Sequence, residues 1–268
     1  MRLLFSFICL SVPLALSGMA MANDLPDAAL AADVVVLGEV HDNPVHHSNQ
    51  AEWVTALTPT AIVAEMLTPD QAADLQADPE GYRATWDASG WPEYDMYLPV
   101  FTATDAPIYG AAVPRDVARV VYSEGVAAHF DGDAGAYGLV DPLPGDQNAV
   151  RLDLQFAAHC DAMPRAALGG MIEVQRLRDA TLAKAAIQAS DDTGEDSAGP
   201  VVVITGNGHA RKDWGVPSYI ARVRPDLTVF SIGQGEDGGT PDGGFDLVVD
   251  APAVGRPDPC LEFGKPSE

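Results

Sequence analysis

Six short apolar runs, at residues 33–37, 61–66, 107–112, 201–205, 228–232 and 245–249, are rich in Val and Ile and recur between helix-like segments. This alternation constrains the fold more than any other feature of the chain. Strands buried on both faces read as continuous apolar runs, and the segments between them supply crossovers. The expected architecture is therefore α/β, a mostly parallel central sheet flanked by helices. Helix starts are written locally. Asn43-Pro44 and Thr68-Pro69 each set a capping side chain before a proline at the first helical position, and Val113-Pro114 is compatible with a third start. The interval between the third and fourth runs is the longest. Its helix-like stretches, 147–161 and 165–190, are separated by Met163-Pro164 and predict a helical hairpin or lid insertion. Gly/Asp-rich stretches at 131–138, 141–146, 191–199 and 235–244 read as surface loops.

Residues 1–22 combine one cation, Arg2, with an apolar stretch over 3–16 interrupted by Pro13 and the small-residue pattern Ala20-Met21-Ala22. This is the grammar of a secretory signal peptide cut after Ala22. The apolar run falls short of the ~20 residues a membrane span needs. The remaining residues, 23–268, show no repeat and no linker, and are expected to form a single soluble, exported, periplasmic domain without a membrane span. Export would put Cys160 and Cys260 in an oxidising compartment, where one long-range disulfide is expected and two free thiols are the alternative. Asp+Glu outnumber Lys+Arg by 39 to 15, which excludes nucleic acid or an anionic membrane as a partner held through bulk charge.

The most informative string, VVVLGEVHDNPVHHSNQ at 34–50, ends a strand at Leu37 and sends Glu39 and His41 out on the loop beyond it. In open parallel sheets, ligands sit outside the carboxyl ends of the strands, where a working Glu and His belong. Asp42 follows, and His46, His47 and Gln50 lie on the first turns of the next helix, on overlapping faces. The string VVVITGNGHARKDWG at 201–215 repeats the pattern and places His209 just past a strand. The second strand ends at Glu65 and the third leads to Arg115. Four strand ends thus deliver Glu39/His41, Glu65, Arg115 and His209 to one rim of the sheet. Trp91, Tyr94, Tyr97, Leu98 and Phe101 follow a helical stripe that either covers a ligand or packs into the core.

Gly38-Glu39-Val40-His41-Asp42 with His47 and Gln50, then Ala64-Glu65-Met66, then Gly206-Asn207-Gly208-His209, resemble the ChaN family of haem-binding uptake proteins, which shares a superfamily with Tiki/TraB proteins and erythromycin esterases. His159-Cys160 and the Gln175 to Asp179 segment fit the same pattern. The resemblance implies an exported protein that binds haem for iron uptake, as a homodimer holding haem through tyrosine. None of the seven tyrosines is singled out as the iron ligand. The chain departs from the family in lacking a lipid-attachment box and in carrying Ala112-Val113 before Pro114-Arg115. Haem has two propionates, for which Arg115, Arg211 and Lys212 are counter-charges in an otherwise repulsive field. A second reading uses Glu39, His41, Glu65 and His209 as a hydrolase centre, through a divalent metal or by direct acid–base chemistry.

Overall fold

The computed structural model describes residues 25–194 and 199–263. The expected signal peptide, 1–22, lies outside them. Six strands, β1 Val34–Leu37, β2 Ala61–Ala64, β3 Ile108–Gly110, β4 Val201–Ile204, β5 Val229–Glu236 and β6 Leu247–Ala251, form one sheet in the order β3-β2-β4-β1-β5-β6, and every pair is parallel. Leu37 is paired with Ile204 and Ile232, and Ala64 with Ile204. The central strands therefore end at one level, and Glu39, Glu65 and Gly206, which follow β1, β2 and β4, leave the sheet side by side.

The helices in chain order are α1 Asp27–Leu30, α2 Pro44–Leu57, α3 Pro69–Ala77, α4 Arg83–Asp87, α5 Tyr94–Phe101, α6 Arg115–Glu124, α7 Gly145–Ala158, α8 Arg165–Thr193, α9 Asn207–Ala210, α10 Val216–Val223 and α11 Cys260–Phe263. Both proline-led starts form as read. Asn43 Oδ1 accepts the Val45 N–H at 3.0 Å, and Thr68 and Gln71 close a reciprocal capping box.

Strand residues alternate between two apolar layers. Val35, Leu37, Ile62, Ala64 and Val202 pack against Trp53 of α2, Leu75 of α3, Trp86 of α4 and the α5 aromatics. Val34, Val36, Val63 and Val203 pack against Val121 of α6, Leu177 and Ala180 of α8, and Ile220 of α10. Helix α8 pairs with α7 as the expected hairpin and also lies along β2, β3 and β4, so it roofs the sheet itself. Tyr94, Tyr97 and Phe101 are buried in the first layer, whereas Trp91 stays at the rim. Among the described residues, no helix is long and apolar enough to cross a membrane.

Three expected loops are shorter than read: α7 starts within 141–146 and α8 runs on to Thr193 within 191–199. The third, the stretch from Gly235, opens in the strand, because β5 runs on to Glu236. Gly233 is needed within it, since a Cβ there would come within 2.8 Å of the Phe245 ring. Cys160, just past α7, and Cys260, opening α11, form a disulfide with Cα atoms 5.3 Å apart.

Candidate functional site

Glu39 is buried behind the end of β1, and three side chains converge on it. His41 donates its Nδ1–H to Oε1 at 2.7 Å, and the Tyr97 hydroxyl donates to the same oxygen at 2.9 Å. His47 faces the other oxygen, Oε2, with Nδ1 at 3.4 Å, while its Nε2–H donates to the His41 carbonyl at 2.8 Å. Oε2 and that Nδ1 are both buried and have no hydrogen-bond partner. Burial opposes charge on His41, but its bond to Glu39 and the carboxylates of Glu65 and Glu39 raise its pKa above the ordinary imidazole value. Burial, then the charge of Glu39, pushes the Tyr97 phenol far above its ordinary range, so Tyr97 serves as a hydrogen-bond donor.

Beside this group stands a second one. Glu65 accepts the Thr205 hydroxyl at 2.6 Å and the Gly206 N–H at 2.9 Å on Oε2, which leaves Oε1 3.5 Å from Nε2 of His209. The opposite ring nitrogen of His209 donates to Asp179 Oδ1 of α8 at 2.6 Å. Burial works against charge on His209, yet the two carboxylates carry its pKa up to about 9. Burial alone would raise Glu65, but the facing His209 and His41 hold it below its usual value. Asp179 moves the other way: burial raises it and His209 only partly offsets this.

The groups adjoin because Gly206 has no side chain. A Cβ there would come within 2.9 Å of Cε1 and Nε2 of His41. Gly38 is required in the same way, since a Cβ would run into Oδ1 of Asn207, which accepts the Gln234 N–H while its amide donates to the Gln234 carbonyl at 2.7 Å.

Both groups open into a cleft of about 590 Å³ walled by Met66, Trp91, Ala111, Val113 and Arg115. It continues past His209 into a groove of about 550 Å³ between α6, α7 and α8, where Arg119, Tyr122, His159 and Gln175 stand. Arg115 and Arg178 line both parts. Arg115 donates to the Ser89 carbonyl at 3.3 Å. Among the described residues no carboxylate lies within ion-pair distance of Arg115, Arg119 or Arg178.

The rim thus assembles Glu39, His41, His47, Glu65, His209, Asp179, Gln175 and Arg115. Other residues read from the sequence have structural partners. His46 accepts the Val40 N–H on Nδ1 at 2.9 Å and donates from Nε2 to the Gly235 carbonyl at 3.1 Å, and Gln50 donates to the Leu37 carbonyl. Asp42 is paired with Arg256. Arg211 is forked onto Asp213 and stacked on Trp214, and Lys212 is paired with Asp246, so neither lines the cleft. Tyr97, Thr205, Arg119 and Arg178 join the site without having been singled out for it. Arg119 had a signal, one helical turn after Arg115; Thr205 had none, its partner being 140 residues away. Among the described residues, no group of three or more His, Cys, Asp or Glu is arranged to hold a metal ion.

This is an α/β fold with a buried carboxylate–imidazole rim and an arginine-edged groove. A family model described as haem-binding uptake, Tiki superfamily, ChaN matches residues 25–220, and the chain belongs to that family. A solved structure of cofacial haem binding to ChaN of Campylobacter jejuni is similar over 79% of this chain and 84% of that one, at 18% identity and a TM-score of 0.55, so the two share a fold. The type III effector HopBA1 (14% identity, 85% and 91% covered, TM-score 0.44) and an erythromycin esterase mutant, EreC, in its open conformation (12%, 78% and 71%, 0.44) are also similar. No curated protein matches the chain.

Proposed function

We propose that the protein is exported, with residues 1–22 as its signal peptide and 23–268 as one periplasmic domain, and that it binds haem as cargo for iron uptake. Family membership and the disulfide support this reading, and one observation carries it. In a chain of net charge −24, most of the described cations are paired with carboxylates, and three of the five described arginines that are not, Arg115, Arg119 and Arg178, edge one cleft that has apolar side chains in its wall. An apolar, flat dianion meets that description: Met66, Trp91, Ala111 and Val113 would face the ring, and Arg115, Arg119 and Arg178 the propionates. His41 is 37% exposed at its side chain, with Nδ1 fixed on Glu39 and Nε2 open to the cleft, and is our choice of iron donor. Tyr122 also stands in the groove, but its hydroxyl is engaged with the Ala167 carbonyl at 2.6 Å. The test is titration of haemin into the mature protein. A saturable Soret band that His41→Ala alters supports the assignment; a spectrum equal to that of haemin on an unrelated acidic protein refutes it. Sedimentation with and without haemin reads the dimer.

A second reading rests on the Asp179–His209–Glu65 line. His209, protonated until about pH 9, acts near neutrality as a charged donor, while the Nε2 of His41 can accept a proton from water. This suits metal-independent hydrolysis. Turnover of a chromogenic carboxylic ester that His41→Ala abolishes would establish it.

A further inference from the structure

A second cavity, of about 380 Å³, lies between the 137–144 loop, α7 and α10, and Arg151 of α7, Arg176 of α8 and Arg222 of α10 all line it. Arg151 is 3% exposed, and its Nε and Nη1 are buried without a hydrogen-bond partner. A buried guanidinium with unanswered N–H groups is expensive, because the charge has left water without gaining partners. The protein does little to offset it. Trp214 lies under the guanidinium at 5.0 Å, and the buried carboxylate of Asp179 acts on it from beyond ion-pair distance. Arg176 adds a second buried cation, bonded to Glu173 and to the carbonyls of Gly138 and Asp141. Arg222 packs over Gly138 and has no carboxylate within ion-pair distance among the described residues. Of the two carboxylates on the cavity wall, Asp213 is taken up by Arg211 and Asp141 is exposed at the rim.

We propose that this cavity is a binding site for a phosphate group, as the free ion or on a small phosphomonoester. Three guanidiniums arriving from three helices suit a tetrahedral oxyanion with acceptors on every side; a planar carboxylate is satisfied by a single fork. The site lies apart from the haem cleft and does not rest on the haem reading.

The test uses the full mature chain, titrated with inorganic phosphate and, in parallel, glycerol phosphate, against chloride at matched ionic strength. Phosphate is expected to raise the unfolding midpoint saturably and to change the emission of Trp214. The Trp214→Phe variant should lose the emission change and keep the stabilisation. Arg222→Gln, at an exposed position, should weaken phosphate binding at least fivefold, and Arg151→Met more. Tighter binding of glycerol phosphate identifies an ester as the ligand; tighter binding of phosphate identifies the free ion. Equal responses to phosphate and chloride, equal binding of succinate, or unchanged affinity in Arg222→Gln would each overturn the proposal. Should Arg151→Met fail to fold, the Arg222 variant still decides.

Discussion

Asp179 holds His209 by a single short contact, Nδ1–H to Oδ1 at 2.6 Å, from the middle of a helix that is 29 residues long. The carboxylate is fully buried and its second oxygen has no partner, so the ring's orientation and charge depend on that one bond together with the nearby Glu65.

A pH dependence follows. The folded His209 pKa of about 9 lies above its unfolded value of 6.5. Its contribution is fully present below pH 6.5 and is lost as pH rises through 9, with an upper bound of about 3 kcal/mol. Urea unfolding should show stability falling across that window. His209→Gln should flatten the fall, and an undiminished slope in that variant would assign it to other groups.

Ligand charge should be read by the arginines. Replacing Arg115, Arg119 or Arg178 by Gln should weaken haemin binding by roughly fivefold each, about 1 kcal/mol for an exposed pair. Binding of the dimethyl ester should not change. Equal losses for both ligands would mean that the arginines hold the fold and not the propionates.

The disulfide should matter more than its place near the chain end suggests. It closes a separation of 100 residues, which the chain-entropy account values at up to ~4.7 kcal/mol. Reduction should lower the unfolding midpoint by up to about 10–15 °C at this chain length. A thiol assay on denatured, unreduced mature protein should find none free, and two titratable thiols would contradict the pairing.

Gly38→Ala tests how tightly the rim is built. The added methyl has to displace Asn207 from its paired bonds to Gln234, and overpacking of this kind costs about 1–3 kcal/mol. Loss of stability together with weakened haemin binding is expected. A neutral result would show that the β1–β5 junction yields easily.

Much of the rim could be read from the sequence because strand ends advertise themselves. Glu39, His41, Glu65 and His209 each follow an apolar run closely, and parallel strands that finish in register bring such residues together. Side chains that hold these groups from a distance leave no such mark. Tyr97 looks like one more member of an aromatic stripe until it is seen to meet a carboxylate 58 positions away. The string Arg211-Lys212 reads as free positive charge, but the turn after α9 sets each beside its own aspartate. The carboxyl half of β5 was hidden by its glycines, which are there because the Phe245 ring crosses closely at Gly233 and the Gly239 carbonyl at Gly235.

The strand order governs when the molecule can become competent. β1, which carries Glu39 and His41, has as its sheet neighbours β4 and β5, whose residues come more than 160 positions later. Pairing over such a span is slow, since loop closure precedes any reward. The amino-terminal half, emerging first, can pair β2 with β3 but has no partner for β1 and lacks His209, so its rim is incomplete. In refolding experiments, protection of the amides of β1 should therefore coincide with that of β4 and recovery of haemin binding should not precede it, so a growing chain would stay empty until its last third had arrived.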